Sequence, residues 1–157
     1  MALQDGWFSD TYLKALSNDI ALDLGDTTPG VFKGALFEGG VAGGTIDFDQ
    51  ANPAYGDAPF DDDESAGPGY TAGGEDITVM SWAVLVGSAN KVGWKVSDLE
   101  WTSTTITASG LLIYAPSLSD RAVLFRAFGQ AYPTNDGDYS IAWAADGVTR
   151  FKLRPTA

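Results

Sequence analysis

The rhythm of apolar and polar positions changes three times along the chain. Residues Ser9 to Ser17 have helical spacing: Ser9 is placed to cap, Asp10 favours the positive N-terminal end, and Phe8 and Leu13 are spaced as a hydrophobic staple. Tyr12, Leu13 and Leu16 then form a stripe expected to face the core, and Asn18-Asp19 is a stop. Ile20–Leu24 reads as a brief extended piece and Gly25–Gly30 as a loop. Val31–Phe37 is apolar on both faces, which predicts a central strand. Between Gly39 and Asp76 the rhythm is lost. Glycine pairs, Pro53, Pro59 and the run Asp61–Glu64 interrupt each candidate element, leaving one short strand at Thr45–Phe48 and three aromatics, Tyr55, Phe60 and Tyr70, to pin the loop to the body. From Ile77 a period of two takes over. Ile77–Val86 is apolar on both faces and reads as a buried strand, while Lys91–Val96 alternates, with Val92, Trp94 and Val96 inward. Further strands follow at Leu99–Trp101, Thr104–Thr107, Gly110–Tyr114, Ala122–Phe128, Tyr139–Trp143 and Val148–Leu153, with Asp146-Gly147 as a hairpin turn pairing the last two. The fold class predicted is mainly β: an antiparallel β-sandwich or barrel-like domain with one short N-terminal α-helix (9–17), a long Gly-rich acidic loop (39–76) and a strand region (77–153).

Composition narrows the function. A chain of 157 residues that is 45% hydrophobic, with five Trp, eight Phe and six Tyr, can close one core, so a single domain over 1–157 is expected. Zero cysteine and zero histidine remove thiolate and imidazole metal sites, cysteine nucleophiles and the Ser-His-Asp triad together. Charge is uneven. Residues 1–76 hold 15 of the 21 acidic side chains against Lys14 and Lys33, a balance of −13, whereas residues 77–157 sum to +1. Net charge −12 repels nucleic acid and anionic membrane surfaces alike, and no run approaches the length of a membrane span. The N-terminal residues lack a basic and apolar leader pattern, so a protein kept in the cytosol is expected.

Two stretches invite chemistry. Gly67-Pro-Gly-Tyr-Thr-Ala-Gly-Gly74 could cradle phosphate, but it has no Gly-Lys-Ser/Thr ending and is flanked by acids, which favours a shaped structural loop. Asp47, Asp49 and Asp61–Glu64 suggest calcium, yet their spacing fits no EF-hand and a solvated acidic loop is the simpler reading. No metal or cofactor is therefore expected. A glycosidase with paired carboxylates needs neither His nor Cys, but nothing in the sequence positions such a pair. Long irregular stretches inside compact domains commonly carry binding, which makes Tyr55, Phe60, Asp61, Asp62, Asp63, Glu64 and Tyr70 the candidate partner contacts. Trp7 joins them as the tryptophan outside any predicted strand. Trp82, Trp94, Trp101 and Trp143, in strands, read as core rather than as stacking platforms for carbohydrate.

Taken in order, Lys14–Leu16, Phe32–Phe37, Ala54-Tyr-Gly56, Gly67–Gly74, Val96–Trp101, Thr105–Ala108, Ile113-Tyr114, Phe125–Phe128, Gly137–Trp143 and Phe151–Leu153 resemble a family of small virion structural proteins of tailed bacteriophages, described as head decoration, head fibre or minor capsid proteins. Gly-x-Gly-Tyr-Thr-Ala-Gly-Gly is the most distinctive part of the likeness. Two stretches depart from it: Glu38–Pro53 is longer and richer in glycine, and Asp61–Glu64 more acidic. The resemblance implies a mostly β fold, no enzymatic activity and a place on the virion. The implied partners are the major capsid protein and the chain itself, as a homo-oligomer that shell symmetry would favour as a trimer. Related proteins occur on tails, so the resemblance also admits a tail, fibre or baseplate binding module, with carbohydrate as one ligand.

Overall fold

Strand β2 (Phe32–Phe37) sits inside a five-stranded sheet, where its alternation serves two cores at once. The computed structural model describes residues 5–39, 46–87 and 90–152. Within them the strands are β1 (Gly6–Trp7), β2, β3 (Glu75–Ile77), β4 (Val79–Val84), β5 (Lys91–Val96), β6 (Leu99–Thr104), β7 (Thr107–Ala115), β8 (Arg121–Pro133), β9 (Gly137–Ile141) and β10 (Thr149–Lys152), with helix α1 at Ser9–Leu16. Every strand pairing described is antiparallel, in sheets ordered β1-β8-β7-β2-β3, β10-β5-β4 and β6-β9. The protein is mainly β and sandwich-like, as its pattern predicts.

Because side chains alternate along a strand, β2 sends Phe32 and Leu36 to one face and Ala35 and Phe37 to the other. The first face packs against the two smaller sheets, through Val79, Trp94, Val96, Leu99, Trp101 and Tyr139. Gly34 lies at that seam: a Cβ there would stand 2.7 Å from Leu99 Cδ1, so the sheets approach more closely than any larger residue allows. The second face is covered by loop residues, with Ile46 and Phe60 packed on Phe8, Phe37, Leu112 and Phe125. Phe60 is 2% exposed, and burying such a side chain contributes about 1.5–3 kcal/mol. The irregular segment is thus a third layer laid on the central sheet. Backbone bonds fix its position: Glu38 N donates to Asp63 O (2.7 Å) and Ser65 N to Leu36 O (2.9 Å).

Several sequence expectations are corrected. Helix α1 begins with Phe8 in the N-cap place, where no side chain caps, and Ser9 instead donates to Asp49 Oδ1 at 2.6 Å. Its stripe of Tyr12, Leu13 and Leu16 is exposed, so Leu13 is no staple; the buried helix residue is Thr11, whose hydroxyl donates to Ala122 O at 2.7 Å. The run Ile77–Val86 divides at Thr78 between two sheets, and its second part forms an exposed edge rather than a buried strand. Ile46–Phe48 forms no strand, and Thr45 lies outside the described residues, as does Leu153. Asp146-Gly147 does make a tight turn, bridged Ala144 to Gly147, but it joins no hairpin because β9 pairs with β6 and β10 with β5. Trp143 falls two residues beyond β9, with its indole N–H donating to Ser97 O at 3.0 Å.

Candidate functional site

The candidate loop residues fall into two groups with opposite fates. Glu64, carried next to β2 by a bridge to Phe37, turns its carboxylate inward. Oε2 accepts from Tyr55 Oη at 2.7 Å, and Oε1 accepts from Tyr70 Oη at 2.8 Å and from Gly73 N at 2.7 Å. Tyr70 Oη also accepts from Leu36 N at 2.9 Å, and Tyr114 Oη donates to Gly73 O at 2.8 Å. Tyr55 stacks on Tyr114 with ring centroids 4.6 Å apart. The glycine-rich loop is held shut by this network. Gly74, at φ +71°, must be glycine, since a Cβ there would overlap the Gly34 carbonyl. Burial, reinforced by the Glu64 carboxylate, pushes the Tyr55 and Tyr70 hydroxyls far above the ordinary tyrosine range. Burial together with the Asp120 charge lifts Tyr114 to about 12. These hydroxyls stay protonated donors in neutral solution, which suits fastening rather than proton transfer.

Asp61, Asp62 and Asp63 have the other fate and are exposed, as are Asp47, Asp49 and Asp57. Asp49 N closes a local turn on Asp47 Oδ1 at 2.9 Å. Among the described residues no group of three or more His, Cys, Asp or Glu is placed to hold a metal ion. Tyr55, Phe60, Glu64 and Tyr70 therefore serve the loop's own seating, and the three aspartates alone of this run face outward.

Trp7 belongs to a different surface that the sequence did not single out. It packs against Trp94 (5.6 Å between centroids) and Phe151 (5.3 Å), and Tyr12 stacks on Phe151 at 5.6 Å and 11°. Trp82, opposite Trp94 on the edge strand β4, also meets Phe151, at 5.6 Å in an edge geometry. Together with Leu16 and Leu22 these side chains line a cleft of about 310 Å³. Asp23 lines it too, and its Leu16 is 70% exposed, as are Met80 (69%) and Val84 (70%) along β4. Residues 77–87 contain no charge and no proline. Sheet edges are ordinarily blunted by one or the other, so this bare edge was legible in the sequence, where its apolar character instead suggested burial.

A second cleft, of about 550 Å³, opens where the far end of β8 overhangs β9, between Phe128, Tyr132, Thr134, Asp138 and Ser140. Tyr132 is exposed there, and Asp138 Oδ1 accepts from Ser103 N at 3.1 Å. No helix among the described residues is long and apolar enough to cross a membrane. No protein family, curated protein or solved structure matches this chain.

Proposed function

We propose that this protein is a non-enzymatic structural component of a tailed-phage particle, a decoration or minor capsid protein that binds the assembled shell and stabilises it. The virion setting comes from the sequence resemblance; the observation that supports docking is the bare apolar edge of β4 beside the Trp7 cleft. An edge strand offers unpaired backbone N–H and C=O groups, and this one adds Met80, Trp82 and Val84 with no charge to deter pairing. The occupant that satisfies both is an extended strand of the shell protein, apolar on the side facing the cleft, added by β-augmentation. The acidic loop lies on another layer and does not form this contact.

The test is reconstitution on particles lacking the native protein. Val84→Lys and Met80→Lys alter exposed side chains, so folding stability should stay within about 0.5 kcal/mol of the parent, while occupancy of the shell falls at least tenfold. Full occupancy by both variants, or absence of the protein from purified particles under cryo-electron microscopy, overturns the proposal. A second reading, a tail or fibre module that binds carbohydrate, draws on the β8–β9 cleft, where Tyr132 presents an aromatic face beside Asp138 and Ser140. Glycan binding lost in Tyr132→Ala would favour it.

A further inference from the structure

We infer that copies of this chain associate head to tail, the basic outer face of the β10-β5-β4 sheet on one copy receiving the acidic segment 57–63 of the next. The inference concerns free solution and stands apart from shell docking. Trp94 is buried on the inner side of β5, so Lys91, Gly93 and Lys95 point outward. The register sets Arg150 opposite Gly93 and Lys152 opposite Lys91, which gathers four cations on that outer face. No acidic residue occurs in the three strands; Asp146, from the turn before β10, lies over Gly93 together with Leu85 and pairs with Arg150, which leaves Lys91, Lys95 and Lys152 as the face's unmatched cations.

Among the described residues, Lys14, Lys33, Arg121, Arg126 and Arg150 each have a carboxylate partner within 4.0 Å, whereas Lys91, Lys95 and Lys152 have none. Lys91 and Lys152 are direct cross-strand neighbours, a like-charge pairing that costs stability unless an anion relieves it. In a molecule of net charge −12, every unpartnered cation described thus lies on one face.

The matching anion is present in the same chain. Asp57, Asp61, Asp62 and Asp63 are exposed, and residues 46–66 contain no Lys or Arg. This layer covers the opposite face of the central sheet, two layer spacings away, or about 20 Å. That separation exceeds the Debye length of about 8 Å at physiological ionic strength, so the two poles do not neutralise each other within one copy. Contact between copies brings them within a few ångströms. Because donor and acceptor faces differ, the contact is heterologous and either closes into a ring or runs on as a chain. The overall negative charge disfavours nucleic acid as the occupant of the basic face.

Sedimentation velocity on the full chain tests this across protein concentration and salt. The parent should show an apparent mass of at least two copies near 0.05 M salt and lose it near 0.5 M, where screening is far stronger (both values approximate). Lys91→Glu/Lys95→Glu/Lys152→Glu alone, and Asp61→Lys/Asp62→Lys/Asp63→Lys alone, should each remain monomeric with unchanged circular dichroism. An equimolar mixture should associate again, since each variant supplies the face the other now complements. A parent that is monomeric throughout, a variant that associates unmixed as the parent does, or a mixture that stays monomeric each overturns the proposal. If either triple variant loses its fold, single reversals at exposed Lys152 and Asp62 replace it, and unchanged association in both is equally decisive.

Discussion

Tyr70 Oη donates its proton to Glu64 Oε1 at 2.8 Å and itself accepts the Leu36 amide of β2 at 2.9 Å. One hydroxyl therefore joins the glycine-rich loop, the acidic segment and the central sheet. Tyr70→Phe leaves a part-buried N–H without its acceptor and should cost about 1–3 kcal/mol in urea unfolding. A loss below about 0.5 kcal/mol would mean the network is decorative.

The close seating of that loop predicts a contrast between two glycines. Gly74→Ala drives a Cβ into the Gly34 carbonyl, and the protein should fail to fold or lose most of its stability. Gly56 also has positive φ but nothing within 4 Å of a Cβ, so Gly56→Ala should cost only the left-handed backbone penalty of about 1–2 kcal/mol. Thermal melts of the two, side by side, measure the difference; equal melting points would contradict the packing described.

Alkaline pH should unfold the protein steeply. Tyr55, Tyr70, Tyr114 and Tyr139 all have raised hydroxyl pKa values, the last two to about 12, with burial the leading cause in each. The unfolded chain loses these protons near pH 10 while the folded one keeps them, so their stabilisation is complete below about pH 10 and declines above it. Each contributes a slope of up to about 1.4 kcal/mol per pH unit. Phenolate absorbance and circular dichroism should therefore change together above pH 10; phenolate formation by all the tyrosines with native circular dichroism would refute this.

Trp101 and Trp143 should separate in mutational cost. Trp101 is 2% exposed between Tyr70 and Tyr139, so Trp101→Ala is expected to cost about 3–5 kcal/mol. Trp143 is half-buried beyond the end of β9, and Trp143→Ala should cost visibly less, chiefly its bond to Ser97. Chemical denaturation with the ranking reversed would show the sequence's placement of Trp143 inside a strand to be the better one.

That misplacement illustrates what the sequence could and could not convey. Strand positions in the second half were legible because a period of two is imposed by the pleat itself, as at Val92, Trp94 and Val96. Sheet membership was not, because pairing depends on distant residues: Ile77 and Val79 are neighbours in sequence yet belong to different sheets. Helix α1 was placed correctly, but its buried face was missed for another reason. Thr11 is buried because Ala122 supplies its hydroxyl with an acceptor, and a pattern of apolarity has no way to register a satisfied polar group. The pinning role of Tyr55, Phe60 and Tyr70 could be read from aromatic residues among glycines. Glu64's inward turn could not, since its neighbours Asp61–Asp63 have the same chemistry and point to water.

The central sheet has a consequence for synthesis. Gly6-Trp7 pairs with residues 124–125, and β2 pairs with residues 110–114 as well as with β3, so β1 and β2 lack their β8 and β7 neighbours until much of the second half has been made. During that interval Phe8, Phe32, Phe37 and Phe60 travel on a chain whose first 76 residues carry a balance of −13. Mutual repulsion keeps such a nascent segment apart from its copies while it waits. Acidity that contributes little to the finished core thus protects the chain before the core exists.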